Sequence, residues 1–397
     1  MSKINIKPFF KFCRVRVTKQ FFDIENKKVH ITVVPSKRYK PVCHKCKSQA
    51  KTVHAYKKRT IRDLNVFDAR VYVTVVYRVL VCGTCGYAVE DSRLLQPYGR
   101  ITKRLTAYII DLCRFMTISE VADHLGLDWK TVKSIHKKHL KEKFDAAPQP
   151  SPRVVLVDEI SIRKGHRYLT IVADWESGRV LWVGKDRSCE ALQAFFKSLP
   201  EGSAESVKAV AMDMWDPYIK AVKKCCPQAC IVFDLFHMVS AFGKVINKVR
   251  NAEYRKASEQ DKQVIKGSKY LLLKNKPNLK DHEKPRLKAL LELNQALTTV
   301  YIIKDLLKKL WSYRYPANAK RAIEQLCDFA QQSNIGPVKS FGKTIKRYAY
   351  GIINHCKFPI HTSRIEGINN KIKVIKRKAY GFHDIDYFSL LIKNAFA

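Results

Sequence analysis

Three acidic residues in this 397-residue chain are of the types and in the places that could together hold a cation. Asp158 follows four apolar β-formers in VVLVDEISI and so lies inside a central strand, where an ionised group is costly unless paired or bound to metal. Asp213 ends the apolar run VKAVAMDM in the same way. Glu366 heads HTSRIEGINNKIKVIKRKAYGF, a stretch otherwise rich in Lys, Arg and Asn. Two strand-borne aspartates and one helix-borne glutamate are the minimum set that holds two Mg2+ (or Mn2+) ions about 3.5–4 Å apart. Water and phosphate oxygens would complete each coordination shell. That chemistry is phosphodiester cleavage and transfer, in which one ion activates the attacking oxygen and the other stabilises the leaving one, so the protein need not supply a nucleophile. A lone strand-end acid is more commonly a cap or a salt-bridge partner. Glu159, Asp174, Asp216 and Asp234 are placed in that class, and the weight rests on the other three together.

The elements that carry these residues are legible in the pattern. At about 100° per residue, Ile365, Ile368, Ile372, Ile375 and Ala379 share one stripe, which predicts an amphipathic helix with that side in the core. Asn370, Lys373 and Arg377 then form a ridge running away from Glu366, suited to a phosphate backbone. Upstream, the runs VVLVDEISI, YLTIVAD and GRVLWVGKD read as three strands. They are followed by the helical CEALQAFFKSL, the strand VKAVAMDM, the helical PYIKAVKKC and the strand CIVFD. Three consecutive strands and then βαβ crossovers predict a mixed sheet with helices on its faces. From 240 to about 350 the pattern is almost wholly helical.

Two further motifs precede this region. Cys43-x-x-Cys46 and Cys82-x-x-Cys85 have the two-plus-two spacing of a zinc ribbon, with Gly83 and Gly86 allowing the tight turn of the second knuckle. They sit in a β-rich stretch from 28 to 90 that reads as a small β module. SEVADHLGLDWKTVKSIHKKHL reads as a helix-turn-helix, with Ala122 at the close helix contact, Gly126 at the turn, Asp128 as a cap and Val132 inward. Trp129, Lys130, Lys133, Ser134 and Lys137 are the outward groups offered to a major groove. DAAPQPSPR, broken by prolines, is a linker.

Composition sets the partner class. Lys plus Arg number 75 against 35 Asp plus Glu, a net charge of +40, and this predicts a polyanionic partner, nucleic acid ahead of an anionic membrane surface. The sequence has no apolar run of about 18 residues and MSKINIKPFF has no signal-peptide core, so a cytoplasmic, nucleoid-associated protein is expected. In a reducing compartment the 12 cysteines read as metal ligands where clustered and as small core residues elsewhere.

With these motifs in place, the chain resembles the bacterial insertion-sequence transposases of the ISL3 group over essentially its whole length. The resemblance is carried by the two knuckles, the helix-turn-helix, VDEISIRKGHRYLTIVAD, AMDMWDPYIKAV, CIVFDLFHMV, KGSKYLLLKN and above all SRIEGINNKIKVIKRKAYGF. It implies a multidomain α/β protein. A zinc-ribbon-like module would span 1–95, a helix-turn-helix domain 96–145 and a linker 146–153. A ribonuclease-H-like catalytic domain would span 154–397, with a helical insertion at about 250–350. It implies that Asp158, Asp213 and Glu366 are the acidic triad of a DDE enzyme and that Lys373 contacts DNA near them. Asp234 and His237 match an Asp-x-x-His pair of such groups, although Leu235 stands where a basic side chain is expected. The implied activity is cleavage and strand transfer of terminal inverted repeats into target DNA, by a homodimer or higher oligomer. A DNA-binding regulator, or a nuclease without strand transfer, would share the same modules.

Overall fold

The computed structural model describes residues 14–91, 99–148, 150–163, 167–360 and 363–397. The chain divides into two compact units, Met1–Ala146 and Ala147–Ala397.

The first unit opens on a sheet of β1 (Val15–Asp23), β2 (Lys28–Pro35), β3 (Thr52–Arg62), β4 (Arg70–Cys82) and β5 (Gly86–Val89), ordered β1-β2-β4-β3 with β5 beside β4. Period-2 alternation puts Val29, Ile31 and Val33 of β2 on one face with Val71, Val73 and Val75 of β4 and Ile61 of β3. β1 lies outside the β runs expected from sequence. It is an edge strand with mostly exposed side chains, so its alternation is weak.

Three helices follow: α1 (Lys103–Leu112), α2 (Ile118–Leu125) and α3 (Trp129–Asp145). Each begins where a side chain satisfies the free N–H groups of a first turn. Thr102 caps α1, Thr117 and Glu120 form a capping box on α2, and Asp128 accepts from the backbone of Lys130 and Thr131 on α3. Gly126 ends α2 in the left-handed region at φ 62°, a conformation glycine adopts without strain. Leu105, Ile109, Val121, Ala122, Leu125 and Val132 form the shared core of the three.

The second unit is built on a five-stranded sheet of β6 (Val154–Arg163), β7 (Arg167–Asp174), β8 (Val180–Lys185), β9 (Ala209–Met212) and β10 (Cys230–Phe233), in the order β10-β9-β6-β7-β8. β6, β7 and β8 are antiparallel neighbours, and β6, β9 and β10 run parallel. Alternation again divides the strands between two cores. Val155, Val157, Val210, Met212 and Phe233 face α4 (Cys189–Ser198), α5 (Asp216–Cys225) and a long helical region. Leu156, Ile160, Ala209, Ala211 and Val232 face α13 (Ser363–Lys378) and α14 (Ile385–Ala395). Between β10 and α13 the chain is helical, from α6 (Leu235–Lys256) through α7 (Glu259–Ile265), α8 (Lys269–Leu273), α9 (Glu283–Leu293), α10 (Gln295–Lys309) and α11 (Pro316–Gln332) to α12 (Gly336–Ile353).

One close approach locks this helical region onto the sheet. Gly351 of α12 lies against the Phe233 ring, and a Cβ built there would overlap the ring carbons. Phe233 is itself buried and packed edge-on against Tyr348 and Tyr350, so the ring has little room to withdraw. Gly351→Ala is therefore expected to destabilise the second unit by about 1–3 kcal/mol through overpacking, against the stabilising sign of most helical Gly→Ala changes. A urea midpoint equal to or above wild type would contradict this packing.

Candidate active site

Strand register brings the acids together. β6 and β9 are parallel with Leu156 beside Ala211, and Asp158 and Asp213 each follow by the same step of two residues. β9 and β10 are parallel with Met212 beside Phe233, and Asp213 and Asp234 are the next residues on each. Asp213 and Asp234 thus follow directly on the carboxyl ends of two adjacent parallel strands, where α/β sheets place their chemistry, and Asp158 stands within the neighbouring β6. The donor atoms of Asp158, Asp213 and His237 all lie within 4.8 Å of one another.

Second contacts set the orientation of each group. Asp158 Oδ1 accepts from the Glu159 backbone N–H at 2.8 Å and Oδ2 from Asn369 Nδ2 at 2.6 Å. His237, in the first turn of α6, places Nδ1 2.8 Å from Asp213 Oδ2 and Nε2 3.7 Å from Asp234 Oδ2. Asp234 caps α6 by accepting from the Phe236 N–H at 2.9 Å, which holds it against that imidazole. Burial, and then the charge of Asp213, pushes the Asp158 carboxyl up to about 6. Burial alone would lower the His237 pKa, but the hydrogen bond and charge of Asp213, with Asp158 and Asp234 nearby, raise it above its ordinary value. An oxygen-rich cluster that disfavours the charged form of Asp158 suits a hard divalent cation, which would offset that cost.

Glu366 is not among these groups. It lies exposed in the first turn of α13, while Ile365, Ile368 and Ile372 of that helix are buried as the stripe predicts. The side chain of α13 that reaches Asp158 is Asn369, one turn further on and buried. Asn369 is not among the residues that the sequence motifs single out. Its signal is that it falls about 40° from Ile365 on the helical wheel, a polar residue at the edge of the apolar stripe. Asn370, Lys373 and Arg377 are exposed along the ridge, with Lys373 Nζ 3.3 Å from Asn370 Oδ1.

The other acids have separate duties. Glu159 projects to the opposite face of β6 from Asp158 and pairs with Arg187 at 3.0 Å, while the Arg187 guanidinium stacks 3.9 Å over Trp215. Burial pushes the Glu159 carboxyl up to about 7 against the pull of Arg187. Trp215 donates Nε1–H to the Arg187 carbonyl and its backbone N–H to the Asp213 carbonyl, so this stack steadies the turn after Asp213. Asp174 accepts from Ser177 in a tight turn, and Asp216 accepts from Arg347 and Tyr348.

In the first unit, Cys43, Cys46, Cys82 and Cys85 gather their sulfurs within 4.8 Å of one another. Cys82 ends β4 and Cys85 closes the turn into β5, while Cys43 bridges to Glu90. Ser48 Oγ stands 2.9 Å from Cys46 Sγ, and its contacts pull the Cys46 thiol down to about 6. A hydrogen bond with Cys46, and then burial, push the Cys85 thiol up to about 12. A tetrahedral zinc ion favours all four as thiolates and suits this closed donor set. On α3, Trp129 and Lys130 are exposed, with Lys130 Nζ 5.9 Å above the indole. Ser134 is exposed, whereas Lys133 and Lys137 are half-buried. No helix among the described residues is long and apolar enough to cross a membrane.

Three family descriptions match successive parts of the chain. They are a transposase domain at residues 155–392, the helix-turn-helix domain of transposase family ISL3 at 90–140, and the zinc-finger of transposase IS204/IS1001/IS1096/IS1165 at 40–85. The chain is 40% identical over 359 residues to the transposase for insertion sequence element IS1001 of Bordetella parapertussis, covering 89% of this chain and 88% of that protein. It is 26% identical over 289 residues to the transposase for IS1557 of Mycobacterium tuberculosis, covering 66% of this chain and 64% of that one. The match spans both units and includes the acidic strand ends, the cysteine knuckles and α3 alike, and on this ground the chain belongs to the ISL3 family of insertion-sequence transposases, with a zinc-ribbon module and a DNA-binding helix-turn-helix.

Proposed function

We propose that this transposase binds the terminal inverted repeats of its insertion sequence and cuts and joins DNA at a metal-dependent acidic site. The observation that carries this reading is the juxtaposition of Asp158 within β6, Asp213 after β9 and His237 in the first turn of α6. The sheet order, with its first three strands antiparallel and the next two parallel to the first, supports a ribonuclease-H-like core into which the helices from about 250 to 350 are inserted. The reading takes 1–95 as the zinc module, 96–145 as the helix-turn-helix domain, 146–153 as the linker and 154–397 as the catalytic domain. A homodimer or higher oligomer would pair two transposon ends.

In this mechanism Asp158, Asp213 and Glu366 would hold Mg2+ or Mn2+, with Glu366 recruited from its exposed place on α13. When bound, the ions supply Lewis-acid activation of the attacking oxygen and stabilisation of the leaving oxygen. His237, held by Asp234, orients the Asp213 carboxylate. Lys373 and Arg377 grip the phosphate backbone that leads to the site. Labelled terminal-repeat DNA incubated with Mg2+ tests the reading: joined products support strand transfer, hydrolysed ends alone indicate a nuclease, and binding without either indicates a regulator.

Binding should divide between the two units in a measurable way. Lys133→Ala or Lys137→Ala is expected to reduce the preference for terminal-repeat over random DNA by about 1–3 kcal/mol where the side chain meets a base edge. Lys373→Ala or Arg377→Ala should weaken binding on all sequences alike and lower the slope of log affinity against log salt by roughly one. Competition binding at several salt concentrations reads both effects. A Lys373 variant that lost only sequence preference would overturn the backbone role of the α13 ridge.

A further inference from the structure

Asn369 makes a hydrogen bond whose geometry leaves half of its amide unexplained. A carboxylate accepts and does not donate, so the group facing Asp158 Oδ2 at 2.6 Å is the amide nitrogen. The amide oxygen is then fixed by the same planar group. It is buried and has no hydrogen-bond partner among the described residues, although the whole residue is only 8% exposed. Leaving a buried carbonyl without a donor costs its full desolvation, and an orphan of this kind in a packed interior calls for a partner that the described residues do not provide. The covalent length of the amide keeps that oxygen within about 5 Å of Asp158 Oδ2, inside reach of anything held by the acidic cluster.

Packing holds the residue in place. Ile365, Ile368 and Ile372 surround its position on α13 and are buried against β6 and its neighbours, so the Asn369 Cα has little freedom to move away from Asp158. No apolar residue there could orient the carboxylate. A buried asparagine at the edge of an apolar stripe costs burial energy that a contact with a neighbouring polar group offsets.

We propose that Asn369 is a positioning residue of the acidic site, its amide nitrogen orienting the Asp158 carboxylate and its amide oxygen accepting from a water molecule of the hydrated divalent cation held there. The inference rests on the metal reading of Asp158 and Asp213 given above. It assigns Asn369, and not the exposed ridge of α13, as the contact through which this helix senses whether the site is loaded.

Manganese binding to the full-length protein provides the test, followed by calorimetry and by thermal melting with EDTA or excess Mn2+. Asn369→Ala is expected to weaken Mn2+ binding about 10–100-fold, the usual effect of losing a group that orients a metal ligand, with zinc content and DNA binding in EDTA unchanged. Asn369→Asp, nearly the same shape, sets a second carboxylate against Asp158. It should melt below wild type in EDTA and gain more than wild type from Mn2+. A purely structural role predicts instead that both variants lose stability equally with and without Mn2+, at an unchanged Mn2+ midpoint, and that result would overturn the inference. Should Asn369→Ala fold poorly, the Asn369→Asp melting pair decides by itself. If wild-type protein shows no Mn2+ response that Asp158→Asn removes, the metal reading is what fails. If wild type responds and the Asn369 variants respond identically, only the role of Asn369 falls.

Discussion

Asp158→Asn and Asp213→Asn are each expected to slow cleavage of terminal-repeat DNA by at least about a thousandfold while leaving end binding within a few-fold of wild type. The magnitude follows from removing a ligand whose ion contributes several kcal/mol of transition-state stabilisation, at about 1.36 kcal/mol for each factor of ten. The substitution is nearly isosteric, and neither aspartate lies on the α13 ridge or on α3, so DNA contacts persist. Stability should move the other way at position 158. Burial and the Asp213 charge push the Asp158 carboxyl up to about 6. A carboxyl whose pKa is raised by folding costs stability once the pH exceeds its unfolded value, and that cost is fully present above the folded one. At neutral pH the uncharged Asp158→Asn variant is therefore expected to melt no lower than the metal-free wild type, with Asn369 able to turn its amide to match. Single-turnover cleavage paired with melting in EDTA separates the effects, and wild-type cleavage by either variant would remove the acids from the chemistry. Glu366→Gln extends the test, because an exposed glutamate contributes little to folding. Unimpaired cleavage by that variant would strike Glu366 from the ligand set while leaving the two aspartates.

Removing the zinc should have the second large effect. The packed apolar neighbourhood of the four cysteines is little more than Cys43, Cys82, Ala88 and the half-buried Cys85, far too small a core to hold two loops unaided. Structural zinc in comparable small modules contributes about 10–16 kcal/mol of apparent binding free energy at neutral pH. The protein is accordingly expected to carry about one zinc per chain. Cys82→Ser, or a strong chelator, should release it and cost the zinc-ribbon region its protection from proteolysis, while the second unit keeps its own melting transition. Elemental analysis together with limited proteolysis checks this. A Cys82→Ser protein whose first unit stays protected without zinc would contradict the assignment.

Much of this protein is written in short-range pattern. The order of strands and helices from 154 to 233 follows from where apolar runs alternate and where they change period. The helix-turn-helix follows from Gly126 and Asp128, which supply the left-handed turn and the cap that join two amphipathic segments. The knuckles follow from cysteine spacing, since two ligands separated by two residues already share one turn. Such features are legible because each is decided by neighbours within a few residues.

What the tertiary structure decided is which distant groups touch. Parallel register places Asp213 beside Asp158, and no local pattern states that register. His237 gains its place from the direction in which α6 leaves β10, a consequence of Asp234 capping that helix. The phase of α13 is the sharpest case. Sequence periodicity defined the buried stripe correctly, yet which member of that helix meets Asp158 depends on a rotation of about 60° and one turn of rise, the difference between Glu366 and Asn369. Helical periodicity fixes a face only to within such an angle, whereas a hydrogen bond to a buried carboxylate requires an ångström, and packing of α13 on the sheet supplies the difference.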